Sequence, residues 1–379
     1  MFKPQIQKTK VLFLMAFINV MLVLYVSQSK TYAKQSSFND KVSASKYMRS
    51  LIDFMNEKEC SMNDHDIYNS CLIGKKESSI TSKVDSTILS SKQLTTHSNF
   101  ASFMVFLLED LELKEGDKIA VSMTGSFPGA NLALISACEV LGIEPFIISS
   151  LASSSYGANK ENLTWLDIEK YLIERKAINF SSIGVSIGGQ QDLGGNLTDQ
   201  GIEILEGKIF NSKIQFINER NLDENIQAKW DLYHKDGSIY KAFVNIGGGA
   251  SSLGAGEGKN FMKGGIIFPI SKDDYEEIYY DSNDLSYYYK DFKKSLAFRF
   301  LSNDVPFVNV KNIKSLVSSK GISDISDNEG SLFYDITRFN IVVISIALLI
   351  SLVLSICVGL YSHHQIKRRM LENEIDSVI

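Results

Sequence analysis

The 379-residue sequence predicts an α/β fold, a doubly wound and mostly parallel sheet in an exported domain flanked by two transmembrane helices. Three observations carry that reading. First, in Lys118 to Ser150, KIAVSMTGSFPGANLALISACEVLGIEPFIISS, a strand-like run from Ile119 to Met123 enters a Thr-Gly-Ser-Phe-Pro-Gly turn. A stretch of helical apolar spacing follows, and then a second apolar run, Pro145 to Ile148. Such a β-α-β unit needs a crossover that packs helix on sheet, so its strands are parallel and its loops gather at their carboxyl ends, where open α/β sheets bind ligands. Second, the design recurs: Ile183 to Ile187 ends in Gly188-Gly189-Gln190-Gln191-Asp192-Leu193-Gly194-Gly195, and Ala242 to Ile246 ends in Gly247-Gly248-Gly249-Ala250-Ser251-Ser252-Leu253-Gly254. Third, apolar runs lie near both chain ends, at Val11 to Val26 and Ile341 to Leu360.

The elements follow in order. Val11 to Val26 comes after Lys3, Lys8 and Lys10, the pattern of a signal peptide or a membrane anchor. The cleavage pattern available, Thr31-Tyr32-Ala33, has Lys30 just before it, so an anchor is expected. Ser27 to Asp40 is polar and suits a tether. Lys46 to Asn56 is helical in period through Tyr47, Leu51, Ile52 and Met55, and Glu57 to Thr96, rich in Ser, Asn, Asp and Lys, is expected to wrap the α/β body. Asn99 to Leu111 reads as a helix closed by the Glu115-Gly116-Asp117 turn. Thr164-Trp165-Leu166-Asp167 has capping-box spacing and opens a helix over Trp165 to Lys176. A helix over Thr198 to Phe210, a strand over Lys213 to Ile217 and a helix over Leu222 to Tyr233 lead to the third loop. Asp273 to Tyr289 is aromatic and acidic and fits an insertion over the crevice. Asp291 to Leu301 as helix, Val305 to Val310 as strand and Ile313 to Ser318 as helix restore the alternation before Ile341 to Leu360, which has the length a bilayer needs.

A net charge of -5 offers no basic field, and nucleic acid is not an expected partner. His363, His364, Lys367, Arg368 and Arg369 crowd the far side of the second span, as lysines crowd the near side of the first, so both termini are expected in the cytoplasm. The layout expected is a cytoplasmic N-terminus (1–10), an anchor (11–26), a tether and wrapping segment (27–96), an extracytoplasmic α/β domain (97–325), a juxtamembrane linker (326–340), a second transmembrane helix (341–361) and a cytoplasmic tail (362–379). Cys357 lies in the second span, and Cys138 on the apolar helix reads as a small buried hydrophobe. Cys60 and Cys71 enclose a short polar loop in a compartment that permits disulfides, and either bridge to each other or stay as thiols. His65, His97 and His234 are scattered without ligand spacing, so no metal is expected.

The three loops are expected to face one crevice. It is lined by Thr124, Gly125, Ser126, Asn131, Ser186, Gly188, Gly189, Gln190, Asp192, Asn245, Gly247, Gly248, Gly249, Ser251 and Ser252. Hydroxyls and amides without a dedicated cation suit a carboxylate or an amide backbone, although tight turns required by the fold would use the same residues. No cofactor is expected. Thr124 to Gly129 and Gly247 to Gly254 miss the dinucleotide fingerprint, and Gly258-Lys259-Asn260 lacks both the leading glycine and the magnesium-binding hydroxyl of a P-loop. Gly184-Val185-Ser186-Ile187-Gly188 matches the nucleophile-elbow pattern, but a glycine-rich loop follows it where a helix should begin. Ser126, Ser186 and Asp192 are the candidates for chemistry, Asp192 as the acid or base, against its reading as a turn or helix-side cap.

Several short motifs occur in order: Leu72-Ile73-Gly74 with Ser79-Ile80-Thr81, Gly116-Asp117, Thr124-Gly125-Ser126-Phe127-Pro128-Gly129-Ala130-Asn131, Ser154-Ser155-Tyr156-Gly157-Ala158-Asn159, Thr164-Trp165-Leu166-Asp167, Gly188-Gly189 with Asp192, and Val244-Asn245-Ile246-Gly247-Gly248-Gly249. On these, the sequence over roughly Ser43 to Ser323 resembles the poly-gamma-glutamate system protein family; Cys71, where a glycine is usual, and the acidic stretch after Gly258 depart from it. The resemblance implies a membrane-bound component of bacterial poly-γ-glutamate or capsule production and supplies no catalytic residue. Taken with the polar crevice, the expectation is an accessory protein of synthesis, export or surface assembly that binds the polymer or the synthase and export subunits. An extracytoplasmic hydrolase or transferase acting on γ-glutamyl amides, or a non-catalytic scaffold, are the alternatives.

Overall fold

The structure, a computed structural model, describes residues 9–29, 31–35, 37–58, 63–256, 262–269, 290–337 and 340–376. Cys60, Gly258 to Asn260 and the acidic stretch Asp273 to Tyr289 lie outside the described residues. The chain forms two units, Ser36–Phe333 and a unit of the chain ends, Met1–Gln35 with Tyr334–Ile379.

The chain opens with α1 (Thr9–Gln28) and β1 (Thr31–Lys34). Helix α2 (Phe38–Glu57) starts earlier than its apolar period suggests and buries Ala44, Met48, Leu51, Ile52 and Met55, one stripe at helical spacing. After β2 (Thr81–Lys83) come two short helices, α3 (Leu89–Thr96) and α4 (Asn99–Glu109). Strand β3 (Lys118–Thr124) is buried at every residue but its first, as a central parallel strand covered on both faces must be. Helix α5 (Pro128–Leu141) begins with proline in its first turn and is closed by Gly142 in the left-handed conformation, φ 66°. Strands β4 (Glu144–Ser150) and β5 (Ser153–Ser154) precede α6 (Trp165–Glu174), whose Asp167 carboxylate accepts the Thr164 N–H at 2.7 Å. Then come β6 (Ser182–Ser186), α7 (Asp199–Ser212), β7 (Gln215–Phe216), α8 (Leu222–His234), β8 (Ala242–Ile246), the single turn α9 (Ala250–Leu253) and β9 (Gly265–Ile267). The last elements are α10 (Leu296–Leu301), β10 (Phe307–Val310), α11 (Ile313–Ser319), β11 (Tyr334–Thr337) and α12 (Ile341–Asp376).

Seven strands form one sheet in the order β7-β6-β4-β3-β8-β10-β9, parallel throughout except that β9 runs antiparallel to β10. The fold is mixed α/β with a mostly parallel sheet. The order runs outward from β3 through β4, β6 and β7, then returns to the other side of β3 for β8. Side chains alternate between sheet faces, so register assigns them. Ala120, Phe243 and Phe307 stand in line across β3, β8 and β10, and one step toward the carboxyl ends Ser122, Asn245 and Asn309 form the next row of the same face. That face is aromatic below and polar above. Phe243 stacks on Phe300 of α10 at 4.6 Å and lies 5.6 Å from Phe307, while Tyr233 of α8 donates to the Val121 carbonyl at 2.7 Å.

Helix α6 covers the opposite face, where Glu169, 2 % exposed, accepts the Ser182 N–H at 2.8 Å and the Ser182 hydroxyl at 2.7 Å. Burial raises the Glu169 pKa, and the Ser182 bonds pull against that shift. The described residues of the segment 37–96 pack as part of the Ser36–Phe333 unit, and β2 pairs with β5 in a small parallel sheet of its own. Neither short strand has enough residues to show a period of two, which is why the sequence reading assigns a strand to neither.

In the unit of the chain ends, β1 pairs antiparallel with β11 from Thr31↔Thr337 to Lys34↔Tyr334. The pairing ties the carboxyl end of α1 to the amino end of α12. Lys10–Gln28 and Ile341–Arg368 are each long and apolar enough to cross a membrane.

Glu169 carries a pH test. A carboxyl whose pKa folding raises stabilises the protein below the ordinary glutamate value, about 4.3, and that contribution is lost as pH rises through the folded value. Glu169→Gln keeps an oxygen for the Ser182 N–H and cannot ionise. Its melting temperature is expected to vary less with pH across that window and to equal or exceed the parent's at about pH 8.

Candidate functional site

The loops after β3, β4, β6 and β8 all leave the carboxyl edge of the sheet, because these four strands are parallel neighbours. Two glycines let them close on one another. A Cβ on Gly125 would lie 2.3 Å from the Leu151 carbonyl oxygen, and one on Gly247, at φ 97°, would lie 2.4 Å from Thr124 Oγ1. The Thr124 hydroxyl donates to the Ile246 carbonyl at 3.1 Å, stitching the β3 edge to the β8 loop. The polar turns at 124, 188 and 247 therefore share one rim.

A buried ionic network lies beneath the rim. Lys229 of α8, 3 % exposed, sends its Nζ to Asp192 Oδ2 at 2.5 Å, Ser186 Oγ at 2.9 Å and Ser251 Oγ at 3.2 Å. Asp192 in turn accepts from Ser186 at 2.8 Å and from Ser251 at 2.5 Å. Asp192 and its neighbour Gln191 hold left-handed backbones, φ 63° and 55°, a conformation that costs an L-residue roughly 1–2 kcal/mol. The turn is fixed by backbone bonds, Gly194 N–H to Gly188 O at 2.7 Å and Gln190 N–H to Gly195 O at 2.9 Å, and it delivers the carboxylate to Lys229. Asn225, one turn before Lys229 on α8, donates to the Asp192 carbonyl at 3.2 Å. Beside this network Ser252 donates to Ser122 at 2.6 Å, and Asn245 donates to Asn309 at 3.0 Å and to the Gly247 carbonyl at 2.8 Å. The Oδ1 atoms of Asn131 and Asn245 are buried with no hydrogen-bond partner among the described residues.

A second buried lysine sits at another part of the rim. Lys92 of α3, 1 % exposed, donates to the Ser126 carbonyl, lies 2.9 Å from Ser154 Oγ and stands 3.9 Å over the Phe127 ring. Desolvation pushes its pKa well below the usual lysine range, with Asp85 pulling weakly the other way. It makes no ion pair among the described residues.

The structure thus divides the residues expected at the crevice. Thr124, Asn131, Ser186, Asp192, Asn245, Ser251 and Ser252 are buried and bonded to the protein itself. Gly125, Gly188 and Gly247 are buried backbone. Ser126, Gly189 and Gly249 are partly exposed, and Gln190 and Gly248 face solvent. Ser186 and Asp192 do come together, but as partners of Lys229, which the sequence reading passed over. The signal for it was present: in Leu222–His234 the residues Ile226, Lys229 and Tyr233 recur at helical spacing, so a lysine falls on the face that α8 buries. Cys71 is disulfide-bonded, Cys138 is free and buried, and Cys60 lies outside the described residues. No group of metal-binding side chains occurs among the described residues. Comparisons with protein-family models, with curated proteins and with solved structures find no match to this chain.

Removing one member of a buried ion pair strands the other charge, at about 3–5 kcal/mol. Lys229→Met and Asp192→Leu are each expected to lose about that much stability in chemical denaturation of the full chain in detergent. The double variant is expected to recover most of the loss; simple additivity of the two losses would show that the pair is not coupled.

Proposed function

We propose that this chain is a membrane-anchored accessory protein of poly-γ-glutamate synthesis, export or surface assembly, and that it binds the polymer or a partner subunit at the rim. The observation that carries the binding reading is the convergence of the turns at Thr124, Gly188 and Gly247 on one edge of the sheet. The return of strand order at β3, with α8 and α6 on opposite faces, supports a doubly wound sheet, in which ligands sit at the switch between the two halves, here between β3 and β8. Gly248, Gly249 and Ser126 leave backbone amides and a hydroxyl near solvent there, which suits the carboxylates and amides of a γ-linked glutamate chain. The pathway itself rests on the motif resemblance.

Two apolar helices joined by the β1–β11 pair support a two-span topology, since the pairing keeps the end of α1 and the start of α12 on one side of a bilayer that both cross. With basic residues beyond each span, that side is the outer one, and both termini are cytoplasmic. The hydrolase alternative gains one observation, the 2.8 Å contact between Ser186 and Asp192. It loses more, because Ser186 has no exposure and Asp192 is already paired with Lys229.

Titrating the full chain in detergent with oligo-γ-glutamate is expected to give saturable heat. Gly248→Asp places a like charge where a Cβ meets nothing within 4 Å, and is expected to weaken binding at least about tenfold with stability intact, since each tenfold step is only about 1.4 kcal/mol. No heat with the parent chain removes the polymer-binding reading. A reporter fused after residue 200 is expected to be active only outside the cytoplasm, and cytosolic activity would reverse the topology.

A further inference from the structure

The rim holds two buried serine–lysine contacts, and they differ in one respect that decides their chemistry. Lys229 touches Ser186 at 2.9 Å but also holds Asp192 at 2.5 Å. An ammonium locked to a carboxylate has no lone pair with which to take a serine proton. Lys92 touches Ser154 at the same 2.9 Å and faces a carbonyl, a hydroxyl and an aromatic ring, with no carboxylate in ion-pair range among the described residues. Lys92 Nζ donates to the Ser126 carbonyl and to Ser154 Oγ and lies over the Phe127 ring. When the amine is neutral, its lone pair can take the place of the N–H at 2.9 Å from Ser154 Oγ and accept the hydroxyl proton. Among the described residues no other partner reaches Ser154 Oγ.

We propose that Ser154 and Lys92 form an acyl-transfer site, with Ser154 Oγ as nucleophile and the Lys92 amine as its general base, acting on a carboxamide carbonyl. Both groups are nearly buried, Ser154 at 7 % exposure and Lys92 at 1 %, which keeps their contact out of bulk water. Desolvation lowers the Lys92 pKa well below the usual lysine range, with Asp85 pulling the other way, which favours the neutral amine more than at an exposed lysine. Ser126 fixes the nucleophile's backbone, its Oγ accepting the Ser154 N–H at 3.0 Å. The amino end of α5, whose first amides have no side-chain cap, opens immediately after this turn and favours negative charge on a reacting oxygen.

The step balances with water as the only co-reactant. Ser154 Oγ bonds to the carbonyl carbon while its proton passes to Lys92 Nζ. The C–N bond then breaks, and the Lys92 ammonium returns that proton to the leaving amine. Water attacks the resulting serine ester, Lys92 takes its proton and delivers it to Ser154 Oγ, and the acid departs. The net reaction is amide plus water to acid plus amine. The two readings share Ser126 of the rim, but the labelling below involves no polymer and tests this one by itself.

The test uses a biotinylated alkyl fluorophosphonate, which phosphonylates an activated serine with loss of fluoride, on the full chain in detergent, with the adduct mapped by tandem mass spectrometry. One adduct on Ser154 is expected. Labelling is expected to fall at least a hundredfold in Lys92→Arg, whose side chain cannot act as a base, and in the heat-unfolded parent, while circular dichroism confirms that the variant is folded. An unlabelled parent beside a labelled serine hydrolase in the same tube overturns the proposal. So does an adduct confined to Ser186, or a Ser154 adduct that forms as fast in Lys92→Arg as in the parent. If Lys92→Arg fails to fold, the location of the adduct in the parent and its loss on unfolding decide the question alone.

Discussion

Lys229 and Asp192, 2.5 Å apart and almost without exposure, are the contact on which the upper half of the Ser36–Phe333 unit depends. Through their hydroxyl partners they join four separate parts of the chain: β6 by Ser186, the glycine-rich loop by Asp192 itself, α8 by Lys229 and α9 by Ser251. Taking two charges out of water costs several kcal/mol per ion, so a pair like this adds little net stability even when its geometry is good. Its effect is selective. A different register of the 188–195 loop, or a rotation of α8, would leave a bare ammonium or carboxylate in the core, and such arrangements are excluded.

The same sheet face shows why the network lies where it does. Ala120, Phe243 and Phe307 pack against α8 and α10 in an aromatic layer, and the next row in register, Ser122, Asn245 and Asn309, is entirely polar. One helix serves both layers. Tyr233 of α8 fills the aromatic part and Lys229, one turn earlier, fills the polar part. The boundary between them marks the depth at which the fold exchanges apolar burial for hydrogen bonding, and the loops of the rim sit just above it. A polar layer this deep is tolerated because almost every donor in it has an acceptor, with the Asn245 oxygen as its unfilled capacity.

Much of this architecture was legible in the chain. Strands β3, β4, β6, β8 and β10, the helices between them and the long apolar helices near the chain ends follow from period, from run length and from glycine after an apolar run. The boundaries that shifted did so for tertiary reasons. Helix α2 extends back to Phe38, whose ring meets Phe333 edge-on at 6.3 Å, a contact no window of sequence contains. The strand expected over Lys213 to Ile217 shrinks to Gln215–Phe216 because β7 pairs on one side only, at the sheet edge, with both side chains exposed. Strands β2 and β5 are too short to carry a period and exist because each finds the other.

By itself the sequence determined where strands stop and polar turns begin, since periodicity and glycine act over a few neighbouring residues. It also determined that these turns share a rim, because consecutive parallel strands carry their loops at one edge. Which side chains meet there was decided only by the tertiary structure. Asp192 and Lys229 are 37 residues apart and Lys92 and Ser154 are 62 apart, so their contacts depend on strand register and on helices docking at a particular rotation. Two lysines of identical composition thereby acquire opposite character: one is held by a carboxylate, and the other is enclosed by a carbonyl, a hydroxyl and a ring.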